Sequence, residues 1–146
     1  MTELTTARRH RLLAALVVLL SLLIVSGLHP YERSTWWLEI MPILIAVPIL
    51  VFTARHFELT TLVYTLIFIQ SIILMVGGAY TYARVPLGFT LEHWLSLTRN
   101  PYDKIGHVAQ GVVPAMIARE ILIRGRYVNG RAMLNFIVVC IARPLT

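Results

Sequence analysis

The sequence has a single cysteine, Cys140, in 146 residues, and it lies inside an apolar run. An internal disulfide and a cysteine metal cluster are thereby excluded within this chain, and the thiol reads as a small buried hydrophobe. Charge is scarce too. Asp, Glu, Lys and Arg make up 14% of the residues where soluble domains carry about 25%, and the apolar share is 58% against a usual ~45–50%. A water-soluble fold is not expected. The formal charge is +6, yet the basic residues sit in short clusters between apolar runs rather than on one solvated face, which argues against nucleic acid as a partner. Gly-x-Ser-x-Gly, a phosphate-cradling glycine-rich loop and His-Glu-x-x-His are absent as well. No internal repeat, Gly/Ser linker or low-complexity tract divides the chain, so one membrane domain over 1–146 is expected.

What the chain does have is long apolar runs. Leu12 to Leu28 holds 17 residues without a charge behind Arg8, Arg9 and Arg11. It exceeds the 7–15 residues of a signal-peptide core and no small-x-small cleavage site follows, so it reads as a retained signal anchor. Trp36 to Ala54 is a second run, with Pro42 and Pro48 inside and Trp36 and Trp37 placed as an interfacial belt. Leu59 to Tyr82 is the third and strongest, with Gln70 as its most polar member. Ile105 to Ile123 is a fourth, less apolar, and Met133 to Ala142 a fifth that is too short to cross a core of ~30 Å. Between the third and fourth, residues 90–99 pattern as a short interfacial helix capped by Thr90. The expected fold is all-α, a polytopic transmembrane helix bundle with spans at about 12–28, 36–54, 59–82 and 105–123 and a partial one at 133–142.

Lys and Arg set the orientation. With the N-terminus cytoplasmic, the inner ends carry eight of them (Arg8, Arg9, Arg11, Arg55, Arg119, Arg124, Arg126, Arg131) and the outer ends four (Arg33, Arg84, Arg99, Lys104). That bias favours an inside N-terminus.

The densest polar cluster runs from Asn100 to Gly111. Asn100 fits a helix N-cap, Pro101 the first helical position, and Asp103 the third, where a carboxylate meets the positive end of the dipole. Capping leaves the following turns unexplained. Asp103, His107, Gln110, Pro114 and Ala118 share one stripe of the helix, while Ile105, Val108, Val112, Met116 and Ile117 share the other. Polar groups at membrane depth face a bundle interior or a wet cavity, so the stripe is expected to face other helices. Asp103, His107 and Gln110 are the candidate ligand-binding residues. Two ligands at i and i+4 fall short of the three that a zinc site needs, so no metal site is assigned. Helix glue through a His–Gln pair is the alternative, and Gln70 is a candidate partner for the fourth helix. Glu120 reads as a solvated pair with Arg124, and His29, Glu32 and Glu39 as solvated near an outer end. Tyr80, Tyr82 and Trp94 read as interfacial anchors, and Gly77 and Gly78 as a close helix contact.

Tyr80-Thr81-Tyr82-Ala83-Arg84-Val85-Pro86-Leu87-Gly88, then Arg99-Asn100-Pro101-Tyr102-Asp103-Lys104-Ile105-Gly106-His107, Gln110-Gly111, Pro114 and Arg119-Glu120 resemble the YjdF-like family of bacterial inner-membrane proteins. The resemblance covers nearly the whole chain. It implies a polytopic protein of the bacterial cytoplasmic membrane and no particular reaction. Asp-Lys-x-x-His at the outer start of a membrane helix is also faintly similar to VanZ-like proteins. YjdF-like proteins normally continue past the fifth helix into a Glu-x-x-Glu-Trp segment and a late Asp/Trp-rich motif, where this sequence has Arg143-Pro144-Leu145-Thr146. The resemblance therefore implies a shortened member, without the acidic groups that would complete a site around Asp103 and His107.

Two functional classes follow. One is a membrane-embedded enzyme or binding site opening outward on Asp103, His107 and Gln110, for a small molecule or a lipid. The other is a structural or accessory membrane protein whose polar residues only cap and glue helices. A transporter is disfavoured by the lack of repeats and paired broken helices. The lipid bilayer is the one partner the composition names; substrate, cofactor and oligomeric state are not specified.

Overall fold

The computed structural model describes residues 6–54, 56–96, 98–127 and 130–142. Arg55 and residues 143–146, which entered the charge count and the family comparison, lie outside them. Among the described residues six α-helices follow in order: α1 (Thr6–Leu28), α2 (Arg33–Thr53), α3 (Thr61–Tyr80), α4 (Pro86–Trp94), α5 (Tyr102–Arg124) and α6 (Arg131–Ala142), with a 3-10 turn at Tyr82–Arg84 and no strand. Of the described helices three, α1 to α3, are long and apolar enough to cross a membrane. α5 has 23 residues but carries Asp103, Lys104, Arg119, Glu120 and Arg124.

The bundle is organised around α3, which packs against α1, α2 and α5, while α6 packs against α5. Leu19 of α1, Ile43 of α2 and Leu74 and Met75 of α3 form the buried core, with Leu23, Val47 and Phe68 around it. The outward faces are greasy: Ile24, Leu38 and Phe52 are largely exposed. In water that surface would drive aggregation; in lipid, which is as apolar as leucine, it costs nothing. α2 runs through Pro42 and Pro48 as one helix. Thr60 caps α3, its side chain accepting from Val63 N at 3.4 Å.

Three sequence expectations shift. α1 begins at Thr6, since its basic first turns stay helical beyond the apolar run. The helix expected at 90–99 forms instead over Pro86–Trp94. Pro86 takes the first helical turn, where its missing N–H is no loss, and Ser96, at φ +49°, lies beyond the last turn. Trp36 is not a free belt residue. Its indole donates to Ser26 Oγ at 3.1 Å and its ring lies against Gly27, locking the α1–α2 turn.

The two ends of the bundle differ in chemistry and take their names below from Arg8 and Tyr82.

Candidate functional site

At the Tyr82 end, α3 stops at Tyr80 and the next residue, Thr81, sits at φ +51°, a conformation that a β-branched residue adopts only under strain. This bend returns the chain over the bundle and drives the Tyr82 ring between α3 and α5. The slot exists because two glycines flank it: a Cβ on Gly77 or on Gly106 would come within 2.6 Å of the ring. Gly78, the neighbour of Gly77, lets α2 approach, with Trp36 Cα 3.4 Å from where its Cβ would be. The Gly77–Gly78 contact expected from sequence is present. At the bottom of the slot the Tyr82 hydroxyl donates to Glu39 Oε2 at 2.6 Å, tying the turn to α2. Tyr82 is therefore a packed, bonded residue rather than an interfacial anchor, and Glu39 is partnered rather than simply solvated.

The start of α5 is held by Asn100, which is buried. Its Oδ1 accepts from Tyr102 N at 3.0 Å, one residue ahead of the N-cap position, which Pro101 rather than Asn100 occupies, while its Nδ2 donates to Ala83 O at 3.2 Å and Val85 O at 3.3 Å. Gly88 of α4 abuts that amide so closely that a side chain at this position would collide with it. Tyr102 reaches back to α3, its hydroxyl donating to Ile73 O at 3.2 Å.

Around this frame opens a cavity of about 380 Å³ lined by Tyr82, Ala83, Phe89, Glu92, Arg99, Asn100 and Asp103. Its three charged residues come from α4, the α4–α5 loop and α5. Among the described residues neither Glu92 nor Arg99 enters an ion pair, and Asp103 meets only His107, whose Nε2 lies 3.3 Å from Asp103 Oδ1. Both of those side chains are open, 45% exposed for Asp103 and 65% for His107.

The polar stripe of α5 was expected to face other helices, and the described residues place it otherwise. α5 buries Tyr102, Gly106, Val113, Ala115 and Glu120, and α6 approaches it at Gly111. His107 and Gln110 remain exposed, one turn apart, beside the cavity rim at Asp103. The structure thus brings Asp103 and His107 together and leaves Gln110 without a hydrogen bond among the described residues. The greasy stripe faces a second opening, an apolar groove of about 420 Å³ between α3 and α5 whose walls include Ile69, Ile73, Val108 and Val112. Gln70 lies in this groove, facing α5 as expected, yet its Oε1 is buried with no partner among the described residues. No group of three or more His, Cys, Asp or Glu side chains is gathered to hold a metal among the described residues.

The Arg8 end is also polar, and Glu120 is its centre. Rather than a solvated edge it is buried, at 9% exposure, because its carboxylate sits over the start of α3. Oε1 accepts from Thr60 N at 2.6 Å and from Arg124 Nη1 at 2.7 Å, and Oε2 from the Thr60 hydroxyl at 2.8 Å. Arg124 also donates to Glu58 O and lies over the Phe57 ring at 5.3 Å. Arg8 of α1 closes the cluster, donating to Glu58 Oε2 at 2.7 Å and Leu59 O at 2.6 Å.

Residues 11–144 match the family described as "Predicted membrane protein (DUF2238)". The chain is also 54% identical over 125 residues to a protein of Escherichia coli strain K12 described as "Inner membrane protein YjdF", a match that covers 86% of this chain and 60% of that protein. The chain thus spans about three fifths of the length of the curated relative it matches. No solved structure matches. The resemblance read from the Tyr80–Gly88 and Arg99–His107 motifs is borne out, and the chain belongs to the DUF2238 family of membrane proteins.

Proposed function

We propose that this is a multi-pass protein of the bacterial cytoplasmic membrane, with its N-terminus inside, whose Tyr82 end carries an outward-facing binding site for a small polar molecule or a lipid. The observation that carries the reading is the cavity walled by α4, whose rim continues into Asp103 and His107: exposed charges around a hydrogen-bonded frame. Protein groups that only hold helices together satisfy one another, whereas groups that await a ligand do not.

The orientation rests on the eight-to-four bias of Lys and Arg. It is supported by Arg8, Glu58, Glu120 and Arg124 converging on one end, which places the start of α1, the α2–α3 loop and the end of α5 on the same side. α5 is then a fourth crossing, antiparallel to α3. α4, with Leu87, Phe89 and Trp94 exposed, lies along the outer interface. The relative's printed name, an inner membrane protein, agrees with the compartment.

The test is extraction in mild detergent followed by mass spectrometry of released small molecules and lipids. His107→Ala and Asp103→Asn should each lower the co-purified ligand while leaving the amount of protein in the membrane unchanged. Unchanged ligand together with a lower melting temperature would instead support a structural or accessory protein. That second reading is favoured by Asn100 and Tyr82, whose polar atoms are engaged in tying the turn at residues 82–85 to α5 and to α2.

A further inference from the structure

Resting on the proposed outward-facing site, we infer that the cavity takes a zwitterion carrying a phosphate and an ammonium group, as in a phosphoethanolamine headgroup. The walls carry both signs of charge. Arg99 offers a planar, permanently charged donor fork suited to a phosphate, while Glu92 and Asp103 offer carboxylates to a cation. Phe89, half exposed on the same wall, adds an aromatic ring, which favours an ammonium group further.

These opposite charges share one cavity without neutralising each other: among the described residues no ion pair joins Arg99 to Glu92 or Asp103. A purely anionic ligand would meet the two carboxylates, and a purely cationic one would meet Arg99. A ligand with both charges satisfies all three. The volume of about 380 Å³ lies near the lower end of small-molecule sites, large enough for a headgroup and too small for a whole phospholipid.

Depth supplies the second line of support. α4 forms one wall, and Leu87, Phe89 and Trp94 on it are 63%, 52% and 83% exposed. A short helix with that much exposed apolar surface beside a membrane bundle rests at the level of the headgroups. The cavity mouth is therefore level with the groups it is charged to receive.

The full chain, reconstituted in nanodiscs of mixed phosphatidylethanolamine and phosphatidylglycerol and released for native mass spectrometry, should retain phosphatidylethanolamine preferentially. Arg99→Gln and the double change Glu92→Gln/Asp103→Asn should each reduce that preference about tenfold, the scale of one hydrogen bond to a charged group. Arg99→Lys should recover part of it, since a point charge still meets the phosphate. Soluble phosphoethanolamine separates the two sources. If it raises the melting temperature in detergent as strongly as the lipid does, the ligand is the free zwitterion; if only the lipid does, it is the headgroup. Equal retention of both lipids with no response to phosphoethanolamine, or a preference untouched by Arg99→Gln, overturns the inference. In those cases, a different co-purified ligand lost on His107→Ala would leave the site itself standing. Intrinsic tryptophan fluorescence on each variant reports folding, so a collapsed protein is not mistaken for lost binding.

Discussion

The two ends of this bundle hold similar residues to opposite effect. At the Arg8 end, two arginines and two glutamates converge on the α2–α3 loop and the start of α3, and each carboxylate of the cluster accepts at least one charge-assisted bond. At the Tyr82 end, Arg99, Glu92 and Asp103 line a cavity with His107 beside Asp103, and among the described residues only the Asp103–His107 approach joins any of them. A buried charge is costly to leave unpaired, so the cluster closed on itself serves folding, while the exposed groups at the other end stay available to water or to a ligand. The contrast separates frame from site more sharply than composition does, since both ends mix the same residue types.

The comparison can be broken first at Glu120. Replacing it with Ala removes three acceptor contacts and leaves the Thr60 N–H and the Arg124 guanidinium without their carboxylate, so a loss of about 1–3 kcal/mol of stability is expected, measured by thermal unfolding in detergent. Glu120→Gln should lose less, because its carbonyl still accepts. A loss below what surface charges show would mean that the Arg8 end is as open as the other. Second comes Gly106→Ala, which forces a methyl group against the Tyr82 ring and should cost about 1–3 kcal/mol. The double change with Tyr82→Ala should restore most of the packing term, and failure to do so would show that Gly106 serves the helix rather than the slot.

At the open end the expectation reverses. Asp103→Asn and His107→Ala should each change stability by less than about 1 kcal/mol, as befits an exposed pair, while lowering ligand retention. Smallest of all is Glu32, in the α1–α2 turn. The Thr35 and then the Ser34 hydroxyl donate to its carboxylate and hold its pKa below the ordinary value. A lowered folded pKa contributes stability above the unfolded value and loses it as pH falls. With the group fully exposed, Glu32→Gln should move the melting temperature at pH 7 by no more than the scatter between replicates.

Much of the frame was legible one residue at a time. Apolar runs located α1, α2, α3, α5 and α6, because a helix in lipid must satisfy its own backbone and shows itself as uninterrupted hydrophobicity. Gly77 and Gly78 announced a close contact, and Asn100 announced a helix start, one residue from where its cap falls. What stayed hidden depends on partners far away in sequence. Glu39 meets Tyr82 across 43 residues and Glu120 meets Thr60 across 60, so reading either carboxylate by its distance from a run's end assigns it to water. One signal was available for the first: Gly106 stands in a helix start otherwise rich in polar groups, as Gly77 does at the end of α3, and both face the same ring. The stripe of α5 failed for a related reason. Helical periodicity shows which residues share a face, and the positions of α3 and α6 decide which face is covered.

The Asn100 amide has a role that the composition makes conspicuous. By bonding Ala83 O and Val85 O on one side and Tyr102 N on the other, it closes a loop of 15 to 17 residues with a single side chain. A protein exposed to an oxidising compartment commonly closes such a loop with a disulfide, and a chain with one cysteine has no means of doing so within itself. Closure by an amide needs no oxidant and survives reductants. The rim of the cavity is therefore independent of redox conditions and hangs on one buried side chain, for which Gly88 keeps the space clear.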